Sequence, residues 1–351
     1  MSAAFGSIGV LGAGHLGRIH IQQLQELPDW HLAGFYDPDP AKVEAIRSEF
    51  GAHAFHSVEE LIDACGSVDV VTPTLSHFDL ASAALAAGRH VFIEKPLTET
   101  PAEARRLLEL RGPQGPRVQV GHVERFNPAF LAAAPHLTGP MFIETHRLAQ
   151  FNPRGTDVSV VLDLMIHDLD LLGRVVGRNV VDVRATGVRL LGAHEDVASA
   201  RVTFEGGCVA QITASRVAET RCRTLRVFSR HGYLVLDCDR QEARKVEPVA
   251  GPAAGDWALR VAHLMRQGLD APALAPVPGS GGGGPEDGVA SWPVAIGRRE
   301  PLKAEIEDWL ACVRTGRRPE VDGEAAWRAL ALAERILASI ERRGLGPVAA
   351  S

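Results

Sequence analysis

The sequence predicts an α/β fold, in which an N-terminal domain built on a parallel sheet is followed by an α+β domain with a largely antiparallel open sheet. Three observations carry this reading. Between residues 7 and 121, apolar strand-like runs alternate with amphipathic segments of helical period, the rhythm of a parallel sheet whose crossovers are helices. The first of those strands ends in Gly12-Ala-Gly14-His15-Leu16-Gly17, a glycine-rich turn that opens a helix. Beyond residue 122, strand-like runs follow one another across short turns, which favours antiparallel pairing.

The elements follow in order. A strand at 7–11 leads through the glycine turn into a helix at 16–27. Gly12 permits the tight turn, Gly14 lets backbone approach a pyrophosphate, and Gly17 lets the helix pack on its strand. The amides at the helix start, among them those of His15 and Leu16, would face the phosphates. A second strand at 31–36 ends in Asp37, where the dinucleotide fingerprint has its acidic residue. A carboxylate there accepts from both ribose hydroxyls of the adenosine and repels the extra phosphate of NADP, so Asp37 argues for NAD; the plainer reading is that it starts the turn Asp37-Pro-Asp-Pro40.

A helix at 39–50, a short strand at 52–55 and a helix capped by Ser57 with Glu60 come next. The strand at 68–71 breaks at Thr72-Pro73-Thr74, ahead of a helix at 76–87 closed by Gly88. Ligands in open α/β sheets sit outside the carboxyl ends of the strands. Thr72, Pro73 and His77 are therefore candidate cofactor contacts, with His77 open to a second reading as a solvent-facing residue at a helix start. A fifth strand, 90–94, delivers Glu94, Lys95 and Pro96, and Thr100, Pro101 and Glu103 start a helix to about 111. The strand at 117–121 completes six, and with them a dinucleotide-binding Rossmann domain over 1–121.

Residues 122–351 form the expected substrate-binding and oligomerisation domain. A short helix follows Pro128, and strands are predicted at 141–149, 180–191, 198–205, 208–215, 224–229 and 233–238, with Gly206-Gly207 as a hairpin turn. Residues from about 270 to 293, rich in glycine, read as a mobile insertion, and helices at 301–315 and 324–342 end the chain. Between the strands, a helix at 157–176 carries Asp163, His167 and Asp170 at i, i+4 and i+7, which puts them on one face. The rest of that helix is mostly apolar, so the polar stripe must be paired. An Asp163–His167 structural pair would satisfy it. Chemistry would as well: alcohol oxidation needs a base to take the hydroxyl proton, and Lys95 stands at the cofactor edge of the sheet. Too few further ligands stand at metal spacing, so no metal is expected.

Composition narrows the function classes. With 351 residues the chain is long enough for two domains. A net charge of −6 with interspersed signs argues against a nucleic-acid partner. Five cysteines, an odd number without CxxC spacing, suit a reducing compartment. The N-terminus shows neither a basic lead nor a long apolar core, and no stretch has the roughly 18 uncharged apolar residues of a membrane helix. A cytoplasmic protein without membrane insertion is expected.

The glycine-rich start, the run Phe92-Ile-Glu94-Lys95-Pro96 and the Asp163-x3-His167-x2-Asp170 helix together resemble the Gfo/Idh/MocA family of NAD(P)-dependent sugar oxidoreductases, over nearly the whole chain. The resemblance implies that Lys95 orients the substrate hydroxyl and contacts the nicotinamide ribose, that His167 is the general base beside Asp163, and that the second domain's open sheet makes homodimers or homotetramers. Two positions depart from the family pattern: Thr74 replaces an asparagine, and Asp157-Val-Ser-Val-Val161 replaces a glycine-rich lead. The runs 121–128, 151–155 and 161–167 are similar to a branch that includes UDP-N-acetylglucosamine 3-dehydrogenases. Arg125, Arg147 and Arg154 would then grip a diphosphate, with Asp170 nearby; each arginine taken singly reads as an ordinary surface ion pair. A sugar or nucleotide-sugar dehydrogenase is thus expected, against a myo-inositol or simple sugar dehydrogenase or reductase, and against a non-catalytic NAD-binding sensor that keeps the fold.

Overall fold

The computed structural model describes residues 4–152, 158–230, 232–248, 289–297 and 299–342. They divide into two compact units. One comprises Met1–Arg125 with Glu300–Glu334, the other Phe126–Arg299 with Arg335–Ser351.

The first unit holds a five-stranded parallel sheet: β1 (Ala4–Leu11), β2 (His31–Tyr36), β3 (Cys65–Val70), β4 (His90–Glu94) and β5 (Val118–Gly121), in the order β2-β1-β3-β4-β5. The order reverses between β1 and β3, the kind of position at which such sheets bind ligands. The crossovers carry α1 (His15–Gln25), α2 (Pro40–Phe50), α3 (Val58–Ala64), α4 (His77–Ala86) and α5 (Pro101–Arg111). The capping residues read from sequence are in place: the Ser57 hydroxyl accepts from the Glu60 amide, and Thr100 with Glu103 closes a complete capping box. Five strands form where six were expected. Residues 52–55, between the left-handed Gly51 and the cap Ser57, touch β2 only through the bridge Phe35–Ala54.

The second unit holds an eight-stranded sheet. After the short helix α6 (Pro128–Ala133) come β6 (Pro140–Leu148), the helix α7 (Ile166–Val176), β7 (Val180–Val188), β8 (Val197–Phe204), β9 (Val209–Ser215), β10 (Cys222–Ser229), β11 (Gly232–Asp237), β12 (Glu242–Pro248) and β13 (Val289–Pro293). The order is β13-β12-β11-β10-β6-β9-β8-β7, antiparallel at every pair except β6 with β9. Gly206 and Gly207, at φ 82° and 88°, make the hairpin between β8 and β9. Met165, Ile166, Leu169 and Leu172 are buried where the α7 segment packs on β6 and β9.

Two expectations change here. The proposed insertion ends early: Val289–Pro293 pairs with β12 as an edge strand, while 270–288 lies outside the described residues. β12 itself, Glu242–Pro248, was missed because its charged residues hide the alternation. The C-terminal helices α8 (Pro301–Thr315) and α9 (Gly323–Arg342) were assigned with everything after 121. The packing puts α8 and most of α9 in the first unit instead: Ile306, Trp309, Leu310 and Val313 share one apolar cluster with Ile8, Val10, Phe35 and Phe92.

Candidate functional site

The first unit gathers three loops at the carboxyl ends of β1, β3 and β4. The β1 turn and the β3 loop lie side by side, since the Val71 amide donates to the Leu11 carbonyl at 2.8 Å. Gly12, at φ 105°, has no room for a side chain: a Cβ would stand 2.6 Å from the Val71 oxygen. A Cβ on Gly17 would stand 2.0 Å from the Gly12 oxygen, whereas nothing lies within 4 Å of one on Gly14. Two glycines thus close the turn and the third leaves its approach open. His15 and Leu16 are exposed on the first turn of α1. An anion could reach the amides there.

Asp37 follows β2 and faces this turn. Its Oδ2 accepts the Ala13 amide at 2.8 Å and its Oδ1 the Asp39 amide at 2.9 Å. The turn reading of Asp37 is met by these two bonds, which do not use up the carboxylate. A carboxylate has about four lone-pair positions, so acceptor capacity remains for ribose hydroxyls. The turn, the open Gly14 and Asp37 together fit an NAD molecule.

His77 is 1% exposed, so the solvent-facing alternative falls. Its Nδ1 lies 2.8 Å from the Pro96 carbonyl oxygen and its Nε2 2.9 Å from that of Thr72. The ring therefore ties the β3 loop to the turn after β4. Ser76 holds the same loop, its hydroxyl reaching Thr72 Oγ1 at 2.7 Å and the Pro73 carbonyl at 2.9 Å. Lys95, half-buried, follows directly and enters the cis Lys95–Pro96 peptide.

Below Lys95 is a cluster that the sequence reading missed. His20 on α1 is 0% exposed, with Nδ1 2.9 Å from Asp69 Oδ2 and Nε2 3.2 Å from Glu94 Oε1. The signal was present: Asp69 interrupts the apolar strand Val68-Asp-Val-Val71, and a carboxylate inside a covered parallel sheet needs a partner. Burial alone would lower the His20 pKa, but the charge and hydrogen bond of Asp69, then those of Glu94, outweigh it and raise it to about 10.

The second unit supplies Asp163, His167 and Asp170. Val161–Met165 winds as a π-helical turn leading into α7, and such turns recur at functional sites. Asp163 lies within this wider turn, whereas His167 and Asp170 stand three apart on the regular helix α7. Asp163 and His167 are half-buried, while Asp170 is 1% exposed and lies inside the fold. Ser159 starts the segment, its carbonyl accepting the Leu162 and Asp163 amides at 3.0 Å.

The arginines diverge. Arg147 is 3% exposed and forms a bidentate pair with Asp168, at 3.1 and 2.9 Å. Its planar fork is turned to α7, where the sequence suggested a ligand. Arg125, 4% exposed, lies 3.5 Å from Glu320. Arg154 is outside the described residues. Among those described, no helix is long and apolar enough to cross a membrane, and no group of three or more His, Cys, Asp or Glu residues could hold a metal ion.

The chain is similar to known proteins over both units. A family model described as "Oxidoreductase family, NAD-binding Rossmann fold" matches residues 7–122, and the "GFO/IDH/MocA C-terminal domain" model matches 133–235. The chain is 35% identical to UDP-N-acetylglucosamine 3-dehydrogenase of Acidithiobacillus ferrooxidans, over 95% of this chain and 96% of that one. A solved structure of the A. ferrooxidans enzyme superposes with a TM-score of 0.82 at 33% identity, covering 96% of this chain and 97% of that one. Inositol 2-dehydrogenase of Rhizobium meliloti is 28% identical over 52% of this chain and 58% of its own. The glycine turn, the Glu94-Lys95-Pro96 turn, the α7 helix and these matches lead to one conclusion: the chain belongs to the Gfo/Idh/MocA family of NAD-binding oxidoreductases.

Proposed function

We propose that this chain oxidises a ring hydroxyl of a nucleotide sugar, UDP-N-acetylglucosamine at its 3-position, with NAD. The observation that carries the substrate is the near-full-length relationship, in sequence and in fold, to a UDP-N-acetylglucosamine 3-dehydrogenase. The inositol dehydrogenase of R. meliloti aligns over only about half the chain.

NAD, when bound, accepts the hydride. The β1 turn and α1 amides would hold its phosphates and Asp37 its adenosine ribose, with Thr72, Pro73 and Glu94 beside them and His77 bracing the β3 loop to the turn after β4. An imidazole nitrogen of His167 takes the hydroxyl proton, Asp163 orients that ring, and the Lys95 ammonium stabilises the developing alkoxide. A base of this kind contributes about 10²- to 10⁴-fold. Arg125 and Arg154 are assigned to the diphosphate. Arg147, enclosed within the second unit, holds α7 in place through Asp168, and Asp170 is buried on the same helix.

Homodimers or homotetramers through the second unit's sheet belong to the same reading. In support, the rows Arg226-Glu144-Gln211 and Thr224-His146-Thr213 run across β10, β6 and β9 and are half-buried on one sheet face. A cytoplasmic setting is supported by Cys65, Cys208, Cys222, Cys238 and Cys312, all free thiols.

The test is NADH formation with UDP-N-acetylglucosamine, UDP-glucose and myo-inositol, on the wild type and on His167→Ala. Turnover of the first, lost about 10²-fold or more in the variant, is expected. Preference for myo-inositol would move the enzyme to the inositol dehydrogenases. Full activity of His167→Ala would remove His167 from the mechanism, and NAD binding without turnover of any of the three would favour a sensor.

A further inference from the structure

We propose that His20 is a positioning residue for Lys95: its ring, bridging Asp69 and Glu94, fixes the carboxylate on which the Lys95 backbone amide is seated. The inference rests on the reading of Lys95 as a group that acts on the substrate hydroxyl.

The chain of contacts is continuous within the first unit. Asp69 Oδ2 lies 2.9 Å from His20 Nδ1, and His20 Nε2 lies 3.2 Å from Glu94 Oε1. The other Glu94 oxygen, Oε2, accepts the Lys95 amide at 3.0 Å. Three secondary-structure elements, α1, β3 and β4, thus converge on the start of the turn that carries Lys95. The surroundings are shaped for it. Gly121 pairs with Glu94 in the sheet, and a Cβ there would stand 2.7 Å from Glu94 Oε1. The missing side chain at 121 makes room for the carboxylate. The edge of the His20 ring meets Phe92 at 5.6 Å between centroids, and Phe92 packs on Trp309 at 5.6 Å, so the ring has little freedom to turn.

The charges fit this role. The groups facing His20 are Asp69 from β3 and Glu94 from β4, with Lys95 beyond Glu94. His20 Nδ1 is hydrogen-bonded to Asp69, whereas Nε2 approaches Glu94 as an ion pair without a hydrogen bond of good geometry, so the imidazolium sets its positive charge against both carboxylates. The raised His20 pKa, about 10, keeps that charged form through the working range. The two carboxylates do not share the benefit equally. Burial pushes both up, but the hydrogen bond and charge of His20, with Lys95, bring Glu94 below its ordinary value, whereas Asp69 stays above its own. Asp69 Oδ1 has no hydrogen-bond partner among the described residues. Negative charge is therefore held most firmly on Glu94, against Lys95. Unlike the base His167, His20 is a permanently charged strut.

The experiment compares wild type, His20→Gln, Asp69→Asn and Lys95→Met for turnover of UDP-N-acetylglucosamine with NAD, for the NAD dissociation constant, and for thermal unfolding. Histidine-labelled NMR of the enzyme without ligand follows His20 directly. His20→Gln should lower kcat about tenfold to a hundredfold through misplacement of Lys95. Its sugar KM and NAD affinity should stay within about threefold, since uniform binding is not what is lost. Asp69→Asn should act in the same direction and less, because Glu94 keeps its contact. In the wild type one imidazolium signal should persist between about pH 6 and pH 9 and be absent from His20→Gln. A folded His20→Gln with unchanged kcat, beside an inactive Lys95→Met, would overturn the inference and leave Lys95 in its role. An active Lys95→Met would instead overturn the reading beneath it. If His20→Gln fails to fold, the NMR titration decides: a buried histidine titrating near its ordinary value would remove the strut.

Discussion

A single carboxylate, Asp37, is expected to bear on the choice between NAD and NADP. Its two oxygens are held by the Ala13 and Asp39 amides at 2.8 and 2.9 Å, which aims the carboxylate at the glycine turn and keeps it 8% exposed. A phosphate on the adenosine ribose would be brought against this fixed negative charge. Two like charges about 4 Å apart at an effective dielectric near 20 repel by about 4 kcal/mol before relaxation. Lys42 Nζ, 3.8 Å from Asp37 Oδ1 and itself half-exposed, offsets part of this. If a third of the repulsion survives, NAD is favoured about tenfold over NADP. Dissociation constants of both cofactors on wild type and Asp37→Ser measure it. The variant should lose the preference, and equal affinities on the wild type would reduce Asp37 to a turn residue.

At the scale of elements, α7 is held to the sheet by a buried charge pair. Arg147 on β6 and Asp168 on α7 are 3% exposed each, and their bidentate contact fixes the helix that carries His167 and follows the turn carrying Asp163. Removing one partner takes a bidentate charged contact away from the other, which stays buried. Arg147→Met should therefore cost about 3–5 kcal/mol, and Arg147→Met with Asp168→Leu should recover most of it, because apolar replacement of a whole buried pair is often neutral. Urea unfolding of the two variants checks this; equal losses in both would show that the pair is not the strap. The pair also marks the limit of what the sequence discloses. Gly12, Gly17, Ser57, Thr100 and the Gly206-Gly207 hairpin were legible because each answers a local need of turn or cap. The π-helical turn at Val161–Met165 leaves no local trace in residue type, so the face shared by Asp163, His167 and Asp170 was drawn on α-helical spacing. Arg147 with Asp168, and His20 with Asp69, are partners 21 and 49 positions apart. Their roles are set by tertiary pairing, which periodicity does not encode.

The first unit as a whole is discontinuous in sequence, and its stability should reveal that. Its strands and crossover helices are complete by residue 125, yet the apolar cluster around Ile8, Val10, Phe35 and Phe92 is closed by Ile306, Trp309, Leu310 and Val313 of α8. Trp309 is 0% exposed and lies 5.6 Å from the Phe92 ring. The Gln119 side-chain amide donates to the Glu305 carbonyl at 2.8 Å, and the Val120 amide to the Val321 carbonyl at 3.0 Å, so polar groups of β5 also find partners in this segment. A fragment ending at residue 125 would expose the cluster to water and leave those groups of β5 to solvent. Each large apolar side chain so uncovered forfeits about 1.5–3 kcal/mol, and a small domain has only about 5–15 kcal/mol of net stability. Residues 1–125 alone should therefore aggregate or fail to fold, whereas 1–125 joined by a flexible linker to 300–334 should unfold cooperatively and bind NAD. Trp309→Ala in the full chain should lower stability by about 3–5 kcal/mol. Circular dichroism melting and NAD titration of the two fragments separate the cases: a stable, NAD-binding 1–125 would mean that α8 packs on a domain already complete without it.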